Sequence, residues 1–154
     1  MKKIRVAALV MAIVMLAMCA VSCSKSEKVT VNCTISVKIG DELYLDGYAY
    51  TVQGTVDNPP TVLQAVSEVF QIVEFAYETD EAGLSLTSLS FDGVTYASGM
   101  NAEGTAIGGW EYTADGVAPK EGRMGTNAIL EGQHIMLNYF EQVLDVQEFS
   151  SGEE

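Results

Sequence analysis

Cysteine, histidine, tryptophan, proline and positive charge are all scarce in this chain, and each scarcity closes off a class of function. Among 154 residues there are three Cys, one His, one Trp and three Pro, with eight Lys and Arg against 21 Asp and Glu. Cys19 and Cys23 lie at the close of an apolar N-terminal run, so Cys33 stands alone and no disulfide framework is open to the folded part. His134 is the single histidine, and a zinc site would need ligands the chain lacks. Three of the basic residues precede the apolar run, leaving five against 21 acidic ones from Cys23 onward, a formal charge of −16. Such a surface repels phosphate backbones and anionic headgroups, which argues against nucleic-acid binding. There is no GxSxG, no HExxH, no Cys paired with His in a motif, no phosphate-binding GxxxxGK[ST] and no EF-hand loop. No catalytic residue, metal or cofactor is therefore expected.

What is present begins with a leader. Met1 to Arg5 is basic, Val6 to Met18 apolar, and Ala20-Val21-Ser22-Cys23 a junction of small residues ending in cysteine. That junction resembles the bacterial lipobox, which implies lipidation at Cys23, cleavage before it, and a membrane held through the lipid anchor. An uncleaved membrane helix is the competing reading, but Val6 to Val21 supplies 16 residues where a span needs roughly 20. Either way the preceding positive charge keeps the N-terminus cytoplasmic and places the domain outside. The expected division is a signal peptide over 1–22, a tether over 23–28, one domain over 29–142 and an acidic tail over 143–154.

Val29, Val31, Cys33, Ile35, Val37 and Ile39 alternate with Thr30, Asn32, Thr34, Ser36 and Lys38. A period of two with β-branched side chains predicts a strand with one buried face, and it assigns Cys33 to the core as a small hydrophobe. Asn32-Cys33-Thr34 matches a glycosylation sequon, which carries no weight behind a bacterial leader. Leu43 to Val56 alternates more loosely and is broken at Asp46-Gly47 and at Gly54, which predicts a second strand with a bulge or a hairpin. Asp57-Asn58-Pro59-Pro60 ends it, because proline donates nothing to a ladder. Thr61 with Gln64 forms a capping-box pattern, and Val62, Val66, Val69 and Val73, flanked by Leu63 and Phe70, predict an amphipathic helix packed on a sheet. Beyond it Val73, Phe75 and Tyr77 alternate again, and Leu84 to Tyr96 reads as a hairpin about Asp92-Gly93. Ile107 to Ala114 and Gln133 to Phe140 read as two further strands, each bordered by a turn at Asp115-Gly116 or Glu131-Gly132. The expected class is α+β: a small mixed, mainly antiparallel sheet with one helix on it.

Four stretches carry a resemblance: Pro60-Thr61-Val62-Leu63-Gln64-Ala65-Val66, Phe91-Asp92-Gly93-Val94, Gly109-Trp110-x-Tyr112-x-x-Asp115-Gly116 and Leu130-x-x-Gly132-x-x-Ile135. In this order the chain resembles the C-terminal domain of transcobalamin and intrinsic factor and its relatives in Gram-positive surface proteins. The resemblance implies a small α+β fold and a family whose vertebrate members bind cobalamin. Gln133 stands where that family carries an acidic residue, and the helical domain that encloses the other side of cobalamin in those carriers is expected to be absent. Weak corrinoid binding is the implication.

Trp110 and Tyr112 share one side of their strand, and with Tyr96, and Tyr77 beyond it, either form a platform for a flat or sugar-like ligand or pack into the core against Leu63 and Phe70. Three functions stay open. The first is a cell-surface lipoprotein whose non-enzymatic domain binds a small, corrinoid-like molecule. The second is an interaction module docking on a surface protein, such as a transport component. The third is an enzyme, which would show a pocket with two carboxylates of perturbed titration.

Overall fold

The computed structural model describes residues 26–120 and 123–144. The leader, Cys23 with residues 24–25 of the tether, and residues 145–154 of the acidic tail lie outside the described residues, while Lys28, expected in the tether, opens the first strand and Val143, expected in the tail, closes the last. Among the described residues eight strands and one helix follow in order: β1 (Lys28–Ile39), β2 (Glu42–Thr55), α1 (Val62–Ile72), β3 (Ala76–Thr79), β4 (Leu86–Phe91), β5 (Val94–Ala97), β6 (Gly99–Met100), β7 (Ala106–Ala114) and β8 (Gln133–Val143).

The strands divide into two sheets where the sequence suggested one. A five-stranded sheet runs β2-β1-β8-β7-β6 and a three-stranded one β3-β4-β5. Every pairing is antiparallel except β1 with β8, so the mainly antiparallel, mixed character holds. The chain passes from the small sheet to the large one at Ser98, between β5 and β6, and that break is too short to leave a mark in hydrophobic periodicity.

The core lies between the five-stranded sheet on one side and α1 with the small sheet on the other. Val31, Cys33, Ile35 and Val37 face it from β1, Ile135 and Leu137 from β8, and Leu89 and Phe91 from β4. The helix contributes Val62, Leu63, Ala65, Val66, Val69 and Phe70, as its apolar stripe requires. Its N-terminus is capped differently from the capping-box expectation. Thr61 Oγ1 accepts the Gln64 N–H at 3.2 Å, but the Gln64 side chain donates to Gln53 O and Glu68 Oε1 and does not return to Thr61. The remaining first-turn donors are satisfied by a distant loop: Val62 N–H donates to Asn127 O at 2.9 Å and Leu63 N–H to Met124 O at 3.0 Å.

β2 is one continuous strand with a bulge at Asp46-Gly47, where its register to β1 shifts around Val37. Opposite that bulge Ser36, assigned to the polar face by alternation, is fully buried. Its hydroxyl accepts the Gly47 N–H at 2.8 Å and lies 3.0 Å from His134 Nε2, so a polar residue is buried with its partners supplied. The β4–β5 hairpin turns at Asp92 (φ 51°) and Gly93 (φ 78°), the two successive left-handed residues of a type I′ turn.

Candidate functional site

Alternation along β7 turns Gly108, Trp110 and Tyr112 toward the small sheet, and on β8 it turns Tyr139, the pairing partner of Trp110, the same way. The ring centroids of Trp110 and Tyr139 lie 5.2 Å apart. Tyr139 needs room on β7, and the sequence provides it at Gly108, where a β-carbon would meet the Tyr139 hydroxyl and Ala97 O.

Both rings reach across to β5. The Trp110 Nε1–H donates to Tyr96 O at 2.9 Å, and the Tyr139 hydroxyl donates to Ala97 O at 3.1 Å. Two consecutive carbonyls of a strand in the small sheet are thus held by two neighbouring aromatics of the large one. From Tyr139 the rings continue to Tyr96 at 5.4 Å and Phe91 at 5.5 Å from Tyr96, then to Tyr44 at 4.8 Å from Phe91. Phe75 stacks on Phe91 at 4.6 Å from the other side. Contacts at these distances and tilts lie in the favourable aromatic range, worth about 0.5–1.5 kcal/mol per pair beyond burial.

Trp110, Tyr139 and Tyr96 are half-buried and Tyr44 is 39% exposed, so the row of rings closes the seam between the sheets and shows an edge to solvent. The Glu42 carboxylate accepts the Tyr44 hydroxyl at 2.8 Å and is the main reason its phenol is held well above the ordinary range. Burial raises Tyr139, with Glu141 adding to it. At neutral pH both present neutral phenols.

The sequence-derived residues divide between two places. Trp110 and Tyr96 share the seam. Tyr112 lies two residues on, nearly buried, its hydroxyl accepting the side-chain amide of Asn127. Tyr77 packs on Phe70 at 5.9 Å. Four residues of the wall and its support, Tyr139, Phe91, Phe75 and Tyr44, were not among the ligand candidates read from the sequence. Tyr139 was legible as an inward residue beside Ile135 and Leu137, and the Gly108-Gly109 pair ahead of Trp110 marked space for a facing ring. Tyr44 had no such signal, because the bulge in β2 blurs its alternation.

The remaining chemistry-bearing groups are tied into the structure. Cys33 is buried and unpaired by any disulfide, its thiol raised by burial and then by Glu131 and Glu68. Asp80 is held below the ordinary carboxylate range by the Leu84 N–H, with help from Ser85 and Arg123. Glu131 is lowered by the side chain and backbone N–H of Asn32. Among the described residues no three His, Cys, Asp or Glu side chains gather as a metal site would require. Clefts of about 510, 350 and 300 Å³ lie away from the wall: on the outer side of β1 and β2 near Gly132, between α1 and the loop at Gly83, and beside Tyr112.

No protein-family model matches the sequence, and no curated protein matches it. Among solved structures the chain is similar to haptocorrin in complex with Cbi, at 16% identity and a TM-score of 0.48, over 73% of this chain and 25% of that one. It is also similar to a putative metal binding protein from Ruminococcus gnavus ATCC 29149, at 18% identity and a TM-score of 0.39, over 73% of this chain and 98% of that one. These are distant likenesses in fold, and the chain spans a quarter of the haptocorrin chain it matches.

Proposed function

We propose that this chain is a lipid-anchored, extracytoplasmic protein whose domain binds a small molecule, without transforming it, on the aromatic wall formed by Trp110, Tyr139, Tyr96 and Tyr44. The observation that carries the reading is the continuity of that wall: rings in contact from Trp110 to Tyr44, with an edge exposed at the seam. Rings pinned by backbone hydrogen bonds lose little freedom when a ligand covers them, which keeps the cost of binding low. The wall also lies at the far end of β1 from Lys28, since Ile39 pairs with Tyr139. At about 3.3 Å per residue that end is some 35 Å from the start of the strand, so an anchor at Cys23 presents the wall away from the bilayer.

Corrinoids are the first class to test, on the strength of the sequence resemblance. Trp110 is the single tryptophan, so the intrinsic fluorescence of the full chain reports on this wall alone. Saturable quenching by cyanocobalamin, weakened at least about tenfold in Trp110→Phe and Tyr139→Ala measured by equilibrium dialysis, is the expected result. An unchanged signal up to about 1 mM removes the corrinoid assignment. The anchor is tested separately: Cys23→Ala should lose acyl labelling and leave the membrane, and retention with labelling would refute it.

A second reading, docking on a surface protein, is favoured by a different observation. On the opposite face of the large sheet Met100, Ile107 and Phe140, from β6, β7 and β8, are 63%, 39% and 42% exposed. Phe140→Glu would break such docking and leave ligand quenching at Trp110 intact.

A further inference from the structure

The cleft beside Tyr112 is separate from the aromatic wall, since Ala114 on its rim lies four residues, about 13 Å, along β7 from Trp110. Its volume is about 300 Å³, at the small end of the range that holds compact ligands. Val62, Ala114, Pro119 and Ala128 supply apolar lining, while Tyr112, Lys120, Asn127 and Gln133 supply polar groups.

The hydrogen-bond inventory of that lining is one-sided. The Tyr112 hydroxyl accepts from Asn127, so its own proton remains to be donated, and no acceptor for it exists among the described residues. Gln133 Oε1 accepts the Leu130 N–H at 3.1 Å, which leaves its Nε2 hydrogens. Lys120 has no carboxylate within ion-pair distance among the described residues, whereas Arg123 is already joined to Asp80 at 2.9 Å. Two nearby carboxylates are engaged as acceptors: Asp115 by the His134 N–H and Glu131 by Asn32. The Val62 N–H at the start of α1 is spent on Asn127 O. Three kinds of donor, one of them cationic, converge on the cleft.

We propose that this cleft binds a small monocarboxylic acid with an apolar body, its carboxylate set against Lys120, the Tyr112 hydroxyl and the Gln133 amide, its body against Val62, Ala114 and Ala128. The strongly negative surface of the chain does not forbid this, because at about 0.15 M salt fields from charges beyond roughly 8 Å are largely screened and the local ammonium decides. A charge-assisted hydrogen bond is stronger than a neutral one, so the site discriminates carboxylate from carboxamide.

The test is isothermal titration of the full chain in detergent micelles with benzoate and with benzamide, its neutral counterpart. Benzoate should bind saturably, with benzamide at least about tenfold weaker, and the preference should shrink as salt is raised. Lys120→Gln should lower benzoate affinity by about tenfold or more with an unchanged melting temperature, since Lys120 is exposed and makes no ion pair among the described residues. Tyr112→Phe should lower it less, and the Gln133 side-chain amide resonances should move on titration. Equal binding of the two probes, no binding of benzoate by about 10 mM, or wild-type affinity in Lys120→Gln would each overturn the proposal. Quenching at Trp110 is read independently, so failure here and failure of the wall are told apart.

Discussion

The hydroxyl of Tyr139 occupies the space that a β-carbon on Gly108 would claim. One residue contributes a ring and the other its absence, and together they let β8 reach over β7 to the carbonyl of Ala97. Gly108→Ala should therefore push the Tyr139 ring off its place beside Trp110, costing about 1–3 kcal/mol as overpacking does. Tyr139→Phe keeps the ring and loses only the hydrogen bond, about 0.5–1.5 kcal/mol. Urea melts give both values, and Trp110 emission separates them: the alanine shifts it and the phenylalanine does not.

A second prediction concerns the pin on the other side of the same seam. Trp110→Phe removes the Nε1–H that Tyr96 O accepts and leaves that carbonyl to water. The loss should be about 1 kcal/mol with faster amide exchange confined to β5, because among the described residues β5 is paired to β4 alone and ends its sheet. Uniformly faster exchange across both sheets would show that Trp110 instead supports the whole core.

Much of this architecture was written in local pattern. The buried face of β1 follows from six alternating apolar residues, the helix from its valine stripe, and the β4–β5 turn from Asp92-Gly93. Each is a short-range signal in which propensity and burial agree. The division into two sheets was not legible, because Ser98 switches sheets within one extended stretch and nothing in a period of two records which sheet a strand joins. Ser36 was assigned to solvent for the same reason: alternation fixes the side of a strand but not whether a bulge in its neighbour covers that side. At the wall, Trp110 and Tyr96 could be singled out as residues, whereas their link through Tyr139 joins segments far apart in the chain.

The Asp80 carboxylate gives a prediction with a definite sign in pH. It is held down chiefly by the Leu84 N–H, so it binds protons less readily folded than unfolded, and its contribution is complete above the unfolded value near 3.8. That contribution is lost as pH falls through the lower, folded value. Asp80→Ala should melt below wild type at pH 7, and the gap should close as the solution is acidified below pH 4. Arg123→Ala should remove only part of the gap, since the ion pair is exposed and lowers Asp80 less than the backbone hydrogen bonds do.

The core helix sets the scale for the larger losses. Phe70 is fully buried, with Phe75 at 5.8 Å and Tyr77 at 5.9 Å from its ring, so it joins α1 to β3 and the segment leading into it. Phe70→Ala should cost about 3–5 kcal/mol, enough to threaten folding of a domain of this size. Phe70→Leu should cost less and leave the Trp110 emission unchanged, because Phe91 and Phe75 still stack beneath the wall.

Ser36 closes the series, since it tests whether a buried polar residue on the outer side of β1 organises the bulge in β2. Its hydroxyl accepts the Gly47 N–H and lies within hydrogen-bond distance of His134, which in turn donates its backbone N–H to Asp115. Ser36→Ala leaves the Gly47 N–H without its acceptor and should cost about 1–3 kcal/mol, the usual penalty for orphaning a buried donor. Hydrogen exchange at Gly47 should rise most, because the bulge has lost its tie to β1. His134→Ala removes only the second contact of that hydroxyl, so Gly47 should stay protected and the loss should be smaller. Equal exchange at Gly47 in the two variants would mean that His134, and not Ser36, sets the position of the bulge.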